Sequence, residues 1–292
     1  MFICTPRGKL IRDMPQPLIG VNRGLPIVMG MPLMGVCWAL IWTQDTFWNP
    51  LFFMGMWSGA TLLMYGAGEW GYPGLRRHLL LLALSIPLWW WFELVNARVE
   101  NWEYLGAVER YNRWEYILMG SAAFSTVIPA MDAAWGLTVR RGWSVADLAR
   151  RHGRGYGIQI GLGIVFQAMV FVWPLVFYPF VWVAPFLIAD GLEGYRGRRS
   201  LVDDMMGRRW QLLAGVAMAG LLCGFLWEFW NFWSIPKWTY HVPLLDFGRV
   251  FEMPVLGYGG YVPFAWSIYQ MLQLGSVGPS LRGHGGPSTI MP

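Results

Sequence analysis

The chain has 292 residues, 55% hydrophobic and only 13% charged, with 22 Lys and Arg against 17 Asp and Glu. Soluble domains carry about 25% charged residues, so roughly half that share excludes an ordinary water-soluble globule and points to a chain solvated partly by lipid. The net charge of +5 does not mark a nucleic-acid binder, because the arginines are dispersed through short connections between apolar runs.

The segment 1–24 holds Arg7, Lys9, Arg12 and Arg23 and precedes the apolar run Leu25 to Trp42. That run is longer than the apolar region of a signal peptide and no Ala-x-Ala site follows it, so it reads as an uncleaved first span. About 20 apolar residues cross a bilayer as helix. On that measure the candidate spans are 25–43, 47–66, 79–97, 114–137, 157–177, 179–193, 210–230 and 251–273. Gly155 to Ala189 carries no charge, and Pro179 is the expected turn between the fifth and sixth spans. The sixth is short and contains Pro185.

With eight crossings and a cytoplasmic N-terminus, 17 of the 22 basic residues fall on the cytoplasmic side. Only Arg98, Arg110, Arg113, Lys237 and Arg249 fall outside. This is the positive-inside bias of a bacterial-type inner-membrane protein, with the C-terminus also cytoplasmic. Omitting the sixth span would put Arg196–Arg209 outside and remove the bias. The segment 138–157 is then a basic cytoplasmic linker, and 274–292, rich in Gly and Pro, a flexible tail.

The two halves, 25–137 and 158–273, superimpose as sequence. Trp57, Leu62 and Gly66 match Trp182, Leu187 and Gly191 at identical spacing; Arg76–Arg77 matches Arg208–Arg209. Glu93-x-x-Asn96 matches Glu228-x-x-Asn231, and Trp102-x-Tyr104 matches Trp238-x-Tyr240. Trp114–Glu115 and Phe251–Glu252 open the last span of each half, with Pro129 and Pro263 inside it. The expected fold is therefore an all-α polytopic membrane protein of about eight transmembrane helices, as two parallel four-helix repeats. An even number of spans per unit leaves both copies pointing the same way.

Glu and Asn at i and i+3 share one helix face, so each half presents a carboxyl and an amide near the outer boundary. Glu115 and Glu252 start neighbouring spans at the same depth. These groups either cap helix ends and pair with Arg98, Arg110 or Arg249, or form two pseudo-symmetric polar sites. Asp132 and Asp190 lie in or beside apolar runs, and their partners in the other half, Trp266 and Tyr65, are not acidic. The outer-end tryptophans (Trp89, Trp90, Trp91, Trp102 and Trp114; Trp227, Trp230, Trp233 and Trp238) form an interfacial belt or stack around an apolar ligand. Cys4, Cys37 and Cys223 form no paired framework, and no cofactor motif occurs.

The pattern Phe92–Glu93, Trp102-x-Tyr104, then Pro129 followed six residues later by Trp135, resembles the membrane-embedded lycopene cyclase domain of carotenoid biosynthesis. The second copy ends Pro263 to Tyr269. Of the paired acids that follow the family's proline, only Asp132 is present; Met131, Ala265 and Trp266 take the other places. The resemblance implies acid-base chemistry on a long isoprenoid or carotenoid-like lipid. Asp132 would be the proton donor, assisted by Glu93 and Glu228, with Asn96, Asn231, Trp102, Tyr104, Trp238, Tyr240, Glu115 and Glu252 around the substrate. Aromatic faces would stabilise the carbocation. Two other readings stay open: a non-catalytic subunit that joins other membrane subunits and holds lipid or pigment, and a transporter.

Overall fold

A computed structural model describes residues 23–140 and 153–278. Most of the basic N-terminal segment, the linker and the tail, Cys4 included, lie outside the described residues. Each candidate span becomes helix, with altered ends. The chain runs through α1 (Gly24–Thr43), α2 (Asn49–Ala67), α3 (Leu75–Val99), β1 (Trp102–Leu105), α4 (Ala107–Arg110), α5 (Arg113–Phe124) and α6 (Val127–Thr138). It continues through α7 (Gly153–Val172), α8 (Pro174–Phe177), α9 (Phe180–Tyr195), α10 (Leu201–Met206) and α11 (Trp210–Asn231). Strands β2 (Lys237–Tyr240), β3 (Arg249–Val250) and β4 (Met253–Pro254), a 3₁₀ segment (Val255–Gly260) and α12 (Tyr261–Leu274) complete it.

Among the described residues, five helices are long and apolar enough to cross a membrane: Gly24–Thr43, Leu75–Val99, the α5–α6 stretch Arg113–Thr138, Gly153–Val172 and Trp210–Asn231. Helix α1 exposes Leu25, Val28 and Leu33, and α7 exposes Ile158, Leu162 and Val165. Apolar faces left bare on helices of this length require lipid around them. Helices α2, α9 and α12 pack inside: α2 against α1 and α6, α9 against α7 and α12, and α12 also against α11. Helix α9 is 16 residues, about 24 Å, and α12 is 14 residues, about 21 Å. Neither alone reaches across a hydrocarbon core of about 30 Å.

Proline explains where the ends moved. The fifth apolar run stops being helix at Val172, because Pro174 pushes Trp173 out of the helical region (φ −136°, ψ 68°). The connection to α9 runs from Trp173 through α8 to a turn at Tyr178 and Pro179, the residue that caps α9. The last run starts at Tyr261 and not at 251: Pro254, Gly257, Gly259 and Gly260 favour strand and 3₁₀ turns. In the fourth run, Pro129 lacks the N–H that would bond Ser125, and α5 gives way to α6. Ser85 of α3 repairs that break: its hydroxyl donates to Phe124 O (2.6 Å) and accepts from Ile128 N (3.1 Å).

One end of the bundle is ionic. Arg77 grips Asp132 there and also donates to Val277 O (3.2 Å). Asp204 is held by Arg199 and Arg209, both at 2.6 Å. Asp190 accepts from Gln159, Ser200, Leu201 N and Gln270, fixing the start of α10. The opposite end carries β1 and β2.

Candidate functional site: an aromatic cavity backed by two carboxyls

Helices α3 and α11 end alike. Asn96 Oδ1 accepts from Asn101 N (2.9 Å) and Trp102 N (3.2 Å), and its Nδ2 donates to Trp102 O (2.7 Å). Asn231 Oδ1 accepts from Trp238 N (2.8 Å), and its Nδ2 donates to Trp238 O (2.7 Å). Each amide thus bonds the backbone of the strand that follows its helix. The two strands pair antiparallel, with Trp102 opposite Tyr240 and Tyr104 opposite Trp238. Facing residues share a side of the ladder and alternate residues return to it, so all four aromatic side chains leave one face. On the other face Glu103 meets His241 Nε2 at 2.8 Å, both largely exposed.

The carboxyls one turn back collect those side chains. Glu93 Oε1 accepts from Tyr104 OH (2.6 Å), Trp89 Nε1 (2.8 Å) and Trp102 Nε1 (3.2 Å). Glu228 Oε1 accepts from Tyr240 OH (2.7 Å), Tyr261 OH (2.7 Å) and Trp238 Nε1 (3.4 Å). Glu228 is fully buried, and its Oε2 has no hydrogen-bond partner among the described residues. Among those residues no Arg or Lys is paired with either carboxyl. Burial, reinforced by the neighbouring carboxyl, pushes the Tyr104 and Tyr240 hydroxyls well above the usual tyrosine range. They keep their protons and act as donors.

All six donors line one cavity of about 160 Å³. Phe53, Phe124, Trp182, Trp227 and Phe264 contribute further wall, and among the described residues no charged side chain lines it. Its volume is about that of a cavity that accepts a benzene ring. Trp102 stacks on Trp182 (centroids 5.9 Å apart), and Trp227 on Tyr261 (6.0 Å).

The third donor differs between the two carboxyls. Trp89 sits four residues before Glu93; Gly224 sits four before Glu228. A Cβ at Gly224 would strike the Tyr261 ring, so the glycine makes room for a tyrosine brought in from α12. The residue two before Pro263 is Tyr261; two before Pro129 it is Val127.

Of the expected site residues, Glu93, Asn96, Trp102, Tyr104, Glu228, Asn231, Trp238 and Tyr240 are brought together here. Asp132 is not. It is buried at the ionic end, bidentate to Arg77 (2.8 and 2.6 Å) and bonded by Tyr65 OH (2.8 Å). Held this way, the Asp132 carboxyl ties α6 to α3 and α2 at the ionic end, away from the cavity. Glu115 closes a capping box with Asn112 at the start of α5. Glu252 lies between β3 and β4, paired with Lys237 (2.5 Å), and begins no helix. The tryptophans divide: Trp91, Trp114 and Trp233 are exposed, while Trp89, Trp102, Trp227 and Trp238 face the cavity.

Sequence reasoning missed Tyr261, Trp182 and Phe264. Trp89 had a signal, its i, i+4 spacing from Glu93. Tyr261 lies 33 residues beyond Glu228 and had none. Comparison of the chain with family models, curated proteins and solved structures returns no match. The likeness to the lycopene cyclase domain is carried by its motif residues alone.

Proposed function

We propose that this is a membrane-embedded protein that takes one end of a long apolar lipid of the isoprenoid class into the aromatic cavity and acts on it by proton transfer, with Glu228 as proton source and Glu93 as its counterpart. The observation that carries the reading is the convergence of the six donors to these two carboxyls on one uncharged, ring-lined cavity. A carboxyl buried among rings with no cation beside it is held neutral by a proton. Tyr240 and Tyr261 touch both Glu228 and the cavity, and connect that proton to an occupant. A proton added to a carbon–carbon double bond leaves a carbocation, which ring faces stabilise. Of the motif residues that resemble the cyclase domain, Glu93, Trp102 and Tyr104 belong to this site.

The fold belongs to the same proposal: about eight spans in two parallel four-helix units, in a bacterial-type inner membrane with both termini cytoplasmic. Matched glycines support the duplication. A Cβ on Gly66 would meet Ile27 Cγ1 at 2.5 Å and Arg23 O at 3.1 Å; one on Gly191 would meet Ile160 Cγ1 at 2.7 Å and Tyr156 O at 3.3 Å. Small residues at such crossings let membrane helices approach closely. The β1–β2 register, which sets each Trp opposite the other half's Tyr, is what a two-fold axis between the units requires.

The test is chromatography and mass spectrometry of lipids from cells producing wild-type, Glu93→Gln, Glu228→Gln and Asp132→Asn proteins. Product is expected to vanish in the two Glu variants. With Asp132→Asn it should scale with the amount of folded protein. Normal product from both Glu variants would overturn the reading. Lipid bound but unconverted by every protein would favour a holding role instead.

A further inference from the structure

The two carboxyls are unbalanced. Among the described residues, Asp132 has Arg77, Glu193 has Arg198, and Asp204 has Arg199 and Arg209; Asp190 has five neutral donors, and Asp203 accepts from Tyr156 OH. Glu93 and Glu228 face only indole N–H and phenol O–H groups. The phenol and indole protons of Trp89, Trp102, Tyr104, Trp238, Tyr240 and Tyr261 are turned away to the carboxyls, so these residues offer the cavity ring faces and oxygen lone pairs. Ring faces carry the negative part of the aromatic quadrupole. With two acids behind them, the wall is electron-rich on both sides. A neutral occupant leaves the carboxyls to hold protons. A positively charged one would balance them instead.

We propose that the cavity binds an apolar organic cation of the quaternary-ammonium type, whose entry displaces a proton from the Glu93–Glu228 pair to solvent. The proposal uses the same cavity as the function above and needs no conversion of a lipid. The cavity volume of about 160 Å³ suits a trimethylammonium group, which is close to benzene in size. The groups facing Glu228 are Tyr240 on β2, Tyr261 on α12, Tyr258 on the 3₁₀ segment and Glu252, itself paired with Lys237. Those facing Glu93 are Tyr104 on β1 and Tyr116 on α5. The phenols stay protonated through the neutral range, which leaves the two carboxyls as the pair that exchanges.

The probe is benzyltrimethylammonium, titrated calorimetrically into the full chain in a maltoside detergent, beside its uncharged isostere neopentylbenzene. Saturable binding of the cation is expected, at least tenfold tighter than the isostere. Heats that vary with buffer ionisation enthalpy should report up to one proton released. Affinity should rise with pH by up to about tenfold per unit while a carboxyl is protonated. Glu228→Gln should lose tenfold or more, and Tyr261→Phe, which keeps the ring, should lose less and keep the proton release. Equal binding of cation and isostere by the wild-type chain, or binding without proton release, would overturn the proposal whether or not any variant folds. If the cation binds but no lipid is converted, only the enzymatic reading fails; lipid conversion without cation selectivity fails only this one.

Discussion

Trp102 stands directly opposite Tyr240 across the β1–β2 ladder, although nearly half the chain separates the two, and their side chains go to different carboxyls. The ladder is therefore the element that ties Glu93 to Glu228, and its aromatic face forms the wall between them. A hydrogen bond to an uncharged buried carboxyl contributes about 0.5–1.5 kcal/mol. Tyr104→Phe and Tyr240→Phe should each lower stability by about that much. Because the two strands share one ladder, the double variant should depart from additivity. Denaturant titration in detergent, run as a double-mutant cycle, reads both numbers; strict additivity would deny the coupling.

Breaking the Arg77–Asp132 pair should be far costlier than its distance from the cavity suggests. Removing one partner of a buried ion pair costs about 3–5 kcal/mol, because the other charge is stranded. Asp132→Asn is expected to fall in that range by thermal denaturation. Arg77→Met with Asp132→Leu should recover much of the loss. Full stability in Asp132→Asn would mean that the guanidinium is satisfied elsewhere.

Gly224 and Tyr261 form a size-matched pair. Gly224→Ala places a methyl against the Tyr261 ring and should cost about 1–3 kcal/mol through overpacking. Gly224→Trp with Tyr261→Val would copy the arrangement around Glu93, where Trp89 and Val127 hold these places. Under the proposed duplication the double variant should be more stable than Gly224→Trp alone. Equal instability of the two would argue against equivalence of the halves.

The side of the membrane is testable without any knowledge of the ligand. Cys37 and Cys223 are buried, so with Cys4 replaced by Ser the background for a membrane-impermeant maleimide is low. A cysteine at position 198 should be protected in intact cells and labelled after lysis. One at position 246, in the loop after β2, should be labelled in both. The reverse pattern would invert the orientation, and labelling of both in intact cells would break the parity of eight crossings.

The sequence by itself determined where helix forms. Apolar runs punctuated by Arg-bearing connections left few alternatives, and each of the eight runs carries helix. It also determined which short-range pairs matter: Glu93 with Asn96, and Glu228 with Asn231, share a helix face because i and i+3 do so in any α-helix. Proline and glycine move the ends: Pro174 ends α7 at Val172, and the Pro254–Gly260 segment delays the last helix to Tyr261.

Only the tertiary structure decided what those residues face. Hydropathy gives Asp132 and Glu228 the same standing, as acids in apolar runs. Packing then sets Asp132 against Arg77 and leaves Glu228 among rings with no cation. Nothing local in the chain encodes that difference: Arg77 is 55 residues from Asp132 and Tyr261 is 33 from Glu228. The state of a buried acid depends on the charges within a few ångströms of it, and those neighbours are fixed by how helices cross and how strands pair.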